Sequence, residues 1–125
     1  MSESTSAAVS NLSDDANAVG AISRAELVEL IRAGARLTLL EALPPVHFER
    51  GHLPGALNLP HDQVRMRAAH LIPNRDADIV VYCANAACRN SHIAAAALVN
   101  MGYRHVRVFG GGKAEWEEAG LSLDR

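Results

Sequence analysis

The sequence is short of several things, and each shortage closes off a class of function. Nowhere in its 125 residues does an apolar run approach the ~20 residues needed to cross a bilayer, so no membrane-spanning role is expected. Charge of one sign is missing too: 12 Lys and Arg are scattered among 14 Asp and Glu, for a formal net charge of -2. Without a basic stripe to neutralise phosphates, nucleic acid is not an expected partner. Two cysteines cannot make a disulfide framework. Residues 1–20 lack the basic start and apolar stretch of a secretory signal, which makes reduced thiols in the cytoplasm the expectation. The six histidines (47, 52, 61, 70, 92 and 105) include no pair at ligand spacing on one element, so no metal site is implied. Gly110-Gly111-Gly112-Lys113 lacks the Ser or Thr and the upstream spacing of a nucleotide-binding loop, and no organic cofactor is implied either. No internal repeat is visible.

What is present reads as one globular domain, with 49% hydrophobic and 21% charged residues. Residues 1–20, rich in Ser, Ala, Asn and Asp, read as a flexible N-terminal arm, and 21–125 as the domain. Ser23-Arg24-Ala25-Glu26 is a capping box, and Leu27, Leu30 and Ile31 recur on one face, predicting a helix over about 24–33. Leu37 to Leu40 predicts a short buried strand ending at Glu41. Pro45 opens a short helix, and His52-Leu53-Pro54-Gly55 is a turn before a brief strand at 56–58. A further helix is predicted over about 61–70. Ile79-Val80-Val81-Tyr82, apolar without alternation, is a strand buried on both faces. The next helix takes Ser91 as its cap and Ile93, Ala94, Ala97, Leu98 and Met101 as its apolar stripe. Val106 to Phe109 is another strand, Gly110 to Gly112 a flexible turn, and 114–119 a last helix that anchors Trp116 in the core. Strands alternating with helices predict an α/β fold with a parallel sheet covered on both faces.

The chemistry is expected in the segment that follows the clearest strand. Ligands of open α/β sheets bind beyond the carboxyl ends of the strands, and Cys83 stands there with a helix soon after it. Backbone N–H groups and the positive end of a helix dipole favour thiolate, so the Cys83 pKa is expected to fall. Small residues at Ala84, Ala86 and Ala87 let the loop curl. The amides of Ala84, Asn85, Ala86, Ala87, Cys88 and Arg89 can then form an anion cradle, with Arg89 adding positive charge. Cys88 has three open roles: resolving an oxidised Cys83, sharing the anion site, or filling the loop base.

With these residues placed, residues 22–123 resemble a single-domain rhodanese, the sulfurtransferase family. Leu39-Leu40-Glu41 and Phe48-Glu49-Arg50-Gly51-His52-Leu53-Pro54-Gly55-Ala56-Leu57-Asn58-Leu59-Pro60 are similar to the family's strand and its Gly-His-Ile-Pro-Gly-Ala signature. Val80-Val81-Tyr82-Cys83 resembles its active-site strand, and Gly102-Tyr103, Val106 to Val108, Gly110 to Gly112, Trp116 and Gly120-Leu121 its C-terminal pattern. The resemblance implies a five-stranded, mainly parallel sheet flanked by helices. It also implies that Cys83 takes sulfur from a donor such as thiosulfate and passes it from a persulfide to cyanide, a thiol or a protein cysteine.

Two departures qualify it. Glu41-Ala42-Leu43 stands where many members have Asp-Val-Arg, so an ion pair there must be rebuilt or lost. The loop Cys83-x4-Cys88-x2-Ser91 is longer than the common form and fits a variant of the family. Cys83-x5-Arg89 is also the spacing of tyrosine phosphatases and arsenate reductases, a rival reading opposed by Tyr82 where those enzymes have His and by Asn90 where they have Ser or Thr. For their general acid, Asp62 and Asp76 have no motif support. A reversible Cys83–Cys88 disulfide would suit a redox sensor. A non-catalytic binding module is the third reading, opposed by the presence of Cys83. The sequence leaves the oligomeric state open.

Overall fold

The computed structural model describes residues 18–125, and residues 1–17 of the arm expected over 1–20 lie outside them. Five strands are found: β1 (Val19–Ala21), β2 (Thr38–Glu41), β3 (Leu57–Asn58), β4 (Asp78–Tyr82) and β5 (His105–Phe109). They form one sheet in the order β1-β5-β4-β2-β3, parallel at every pairing. The apolar run of β4 lies at the centre, where both faces are covered and a continuous apolar strand is required. Alternate residues feed two cores. Leu40, Ile79, Val81, Val106 and Val108 face one side, where Val64, Ala68, Ala94 and Leu98 pack on them. Leu39, Val80, Tyr82 and Phe109 face the other, against Leu27, Leu53 and Trp116.

The helices are α1 (Arg24–Arg32), α2 (Pro45–Arg50), α3 (Val64–Leu71, entered through a 3-10 turn at His61–Gln63), α4 (Asn90–Asn100) and α5 (Gly112–Glu118). α1 carries the expected capping box: Ser23 Oγ accepts from the Glu26 amide and Glu26 Oε1 accepts from the Ser23 amide. His52 fixes the turn that follows α2, with its Nδ1 3.0 Å from the Phe48 carbonyl and its ring stacked on that of Phe48. Trp116 is buried, and its indole N–H donates to the Ser122 carbonyl. No described helix is long and apolar enough to cross a membrane.

Three local expectations change. Residues 19 and 20, assigned to the arm, are in β1, which adds to the sheet through Val19, Gly20 and Ala21 against Val106, Arg107 and Val108. Ser91 is not the cap of α4. Arg89 holds that position, and Ser91 is buried in the first turn. Ile93 is 49% exposed, while Ala94 and Leu98 of the expected stripe are buried beside Ser91 and Ala95, and Ala97 and Met101 pack partly buried against the same core.

Candidate active site

Parallel register brings the site together. Glu41, Tyr82 and Phe109 lie side by side at the carboxyl ends of β2, β4 and β5, and Cys83 is the next residue of the central strand. From there the chain loops through 84–89 into α4. Asn85 shapes the loop: its Oδ1 accepts from the amides of Ala87 and Cys88 at 3.0 and 3.1 Å, and its carbonyl also faces the Cys88 amide. This asparagine turn carries Cys88 back over Cys83.

Cys88 therefore lies against the Cys83 sulfur. Cys83 is buried, with its thiol 3.4 Å from the Cys88 carbonyl and 3.4 Å from Ser91 Oγ. Burial, and next the hydrogen bond to Cys88, push the Cys83 thiol up; the Ser91 hydroxyl and amide, which stabilise its anion, pull the other way without prevailing. Cys88 is less enclosed. Burial pushes its thiol up as well, but the hydrogen bond from Cys83 and the amides of Ala84 and Asn90 outweigh it and leave the pKa below the ordinary thiol value. The lowered pKa expected at Cys83 is found at Cys88 instead. In the structure the amides of Ala87 and Cys88 are taken by Asn85, so the field of the loop falls on the second sulfur. Ala84 is half-buried, while Asn85, Ala86, Ala87 and Arg89 are exposed at the loop surface.

Beneath the loop lies a charged network. The Glu41 side chain has no solvent exposure, and its Oε1 accepts from the Tyr82 hydroxyl at 2.8 Å. The Tyr82 oxygen in turn accepts from the Leu53 amide, and burial together with the Glu41 charge holds the phenol protonated. Glu41 Oε2 has no well-aligned hydrogen bond, but the Lys113 ammonium lies 2.9 Å from it and supplies the opposite charge. Lys113 Nζ also donates to the His47 carbonyl. The same residue holds the loop by its backbone, donating its amide to the Cys83 carbonyl at 3.0 Å, while the Ala114 amide donates to the Ala84 carbonyl at 2.9 Å.

With this geometry, the chain's likeness to known proteins can be placed. The sequence profile of the rhodanese-like domain matches residues 23–119. The chain belongs to the rhodanese family. It is 38% identical over 104 residues to the HTH-type transcriptional regulator Rv0324 of Mycobacterium tuberculosis, covering 83% of this chain and 44% of that protein. It is 39% identical over 67 residues to the thiosulfate sulfurtransferase PspE of Escherichia coli, covering 54% of this chain and 62% of that one. It thus spans less than two thirds of the length of either relative. A crystal structure of a thiosulfate sulfurtransferase from Pseudomonas aeruginosa superimposes with a TM-score of 0.76 at 23% identity, over 89% of this chain and 22% of that one, a likeness of fold.

Within this rhodanese domain the ion pair that Glu41 needs is rebuilt from Lys113, distant in sequence and unrecognised in it. The only hint was a lone Lys after the glycines. Gly110 and Gly111 form the expected turn, and Gly112 is the first residue of α5. Gly112 has φ +61, and a Cβ there would stand 2.3 Å from the Cys83 carbonyl oxygen, so only glycine lets α5 approach the loop. Ser91 was also missed as a site residue, having been read as a cap. Asp76 pairs with Arg104 at 2.7 Å, just before the first residue of β4 and so at the opposite end of the sheet from Cys83. It has no access to a reaction at the loop.

Proposed function

We propose that this rhodanese domain is a sulfurtransferase in which Cys83 carries sulfane sulfur as a persulfide. The observation that carries the reading is the Cys83 sulfur at the carboxyl end of the central strand, faced by the Ser91 hydroxyl and amide. The thiolate of Cys83 attacks the outer sulfur of thiosulfate, a Cys–S bond to that sulfur forms, and sulfite leaves with the electron pair of the broken S–S bond. Ser91 and the loop then hold an anion moved one atom outward. A thiophilic acceptor (cyanide, a thiol or a protein cysteine) takes the outer sulfur and returns the Cys83 thiolate. The chemistry needs no metal and no organic cofactor. Similarity to proteins named thiosulfate sulfurtransferase supports thiosulfate as the donor. Because the Cys83 thiol is pushed up, little thiolate exists at neutral pH, and loading accelerates as pH rises, with the rise displaced above the ordinary thiol range of about 8 to 9.

The test is anaerobic incubation of the reduced protein with thiosulfate, followed by peptide mass spectrometry. Sulfite release that depends on Cys83 is expected, with faster loading at alkaline pH, and Cys83→Ser neither gains sulfur nor releases sulfite. Sulfite release undiminished in that variant would end the reading.

A further inference from the structure

We infer that Cys88 resolves the Cys83 persulfide, so that the loop discharges its sulfur as sulfide and closes a Cys83–Cys88 disulfide. The inference rests on the persulfide reading and adds an activity to it: reduction of sulfane sulfur, in place of transfer to an outside acceptor.

Three features of the loop lead there. First, the Cys83 sulfur lies 3.4 Å from the Cys88 carbonyl and 3.4 Å from Ser91 Oγ, so residue 88 is folded directly onto it. A sulfur attached to Cys83 is thereby placed beside Cys88. Second, the contact is built. Asn85 spends its side-chain oxygen on the amides of Ala87 and Cys88, and the Lys113 and Ala114 amides hold the carbonyls at the other end of the loop. Third, the Ala84 and Asn90 amides stabilise negative charge on Cys88 whatever Cys83 carries, as an attacking thiol requires. Ser91 cannot take this part, because an alkoxide is far too poor a nucleophile at neutral pH.

The step balances without a further reagent. Cys88 attacks the inner sulfur of the Cys83 persulfide. The new bond joins the two cysteine sulfurs, and the bond to the outer sulfur breaks. That sulfur leaves as hydrosulfide with the electron pair and the proton Cys88 gives up. The two cysteine sulfurs are oxidised to the disulfide and the sulfane sulfur is reduced to sulfide. A dithiol reductant then opens the disulfide and restores both thiols. An acceptor such as cyanide competes with Cys88 for the persulfide, so the two outcomes are alternatives at one intermediate.

The experiment uses the full chain, reduced, freed of reductant and kept anaerobic, with thiosulfate as the donor. Sulfide is trapped with a bimane reagent, sulfite is measured in parallel, and protein products are mapped by mass spectrometry. Wild type is expected to release one sulfide per chain, lose two hydrogens and yield a Cys83–Cys88 linked peptide. Cys88→Ser stops with one added sulfur on Cys83 and releases sulfide at less than a tenth of the wild-type yield. A Cys88→Ala variant with native circular dichroism behaves in the same way. Wild type that keeps the added sulfur and releases no sulfide would overturn the inference and leave the persulfide reading standing. Donor-independent disulfide formation would overturn it as well. If neither sulfite nor added sulfur depends on Cys83, the persulfide reading itself has failed.

Discussion

A lysine whose ammonium lies 2.9 Å from a fully enclosed carboxylate is in a different position from one on a surface. Exposed pairs contribute little, because water screens them and the side chains lose freedom. Here the Lys113 side chain is only 14% exposed and Glu41 not at all, so removing the cation strands a buried negative charge beside Tyr82. Lys113→Met is therefore expected to destabilise the domain by about 3 kcal/mol, the range found when one partner of a buried pair is deleted. Glu41→Gln in the same background removes the stranded charge and recovers part of that loss. Urea unfolding of the two variants checks both statements. Equal stability of Lys113→Met and wild type would mean that the pair does not hold this edge of the domain together. The thiols give a second expectation at this scale. A lowered pKa leaves more thiolate at a given pH, and a raised one leaves less, so Cys88 is alkylated at lower pH than Cys83. Iodoacetamide labelling from about pH 6 to 10, read peptide by peptide, orders them, and a Cys83 that reacts first would reverse the assignment.

At the scale of the element, α5 matters more for its first turn than for its length. Its opening residues meet the Cys83 and Ala84 carbonyls directly, and the approach depends on Gly112 having neither a Cβ nor a preference for negative φ. Gly112→Ala must relieve a clash with backbone, which has no rotamer to yield. The expected cost is at least ~2 kcal/mol, with persulfide loading slowed roughly tenfold or more as the Cys83 carbonyl is displaced. Thermal unfolding and single-turnover sulfite release measure the two effects. Gly111 is tight as well, since a Cβ there would stand 2.5 Å from the Glu115 Cβ, which no rotamer of Glu115 moves. Elements also differ in how far the sequence revealed them. β4 and the loop after it were legible because a buried central strand has to be a continuous apolar run. β1 was not legible: Val19-Gly20-Ala21 is short, partly exposed and joined to the sheet only through β5. Most of the α4 stripe was legible; only Ile93 departs from it, because a run of alanines gives too little amphipathic signal to fix the edge of the buried face. The contact of Ser91 with Cys83 was not legible, because it joins residues that local pattern does not relate. The partner of Glu41 was hidden for the same reason.

For the molecule as a whole, the sheet is the shared wall of two cores. Val80 and Tyr82 belong to one side and Ile79 and Val81 to the other, so neither core survives if β4 loses its place. The charged network adds a link across the carboxyl edge, tying β2, β4, the turn at Leu53 and α5 to each other. Such an arrangement has no boundary along which one half could melt alone. A single cooperative transition is expected, as for most domains of fewer than about 150 residues. The lone tryptophan makes this testable. Trp116 is buried in the core that holds Tyr82 and Phe109, whereas far-UV circular dichroism reports helices on both faces. Urea curves from Trp116 emission and from ellipticity should superimpose in wild type, and both should shift together in Lys113→Met. Separation of the two curves in the variant alone would show that the ion pair couples the α5 face to the rest of the domain. Separation in wild type would mean that the shared sheet does not bind the two cores into one unit.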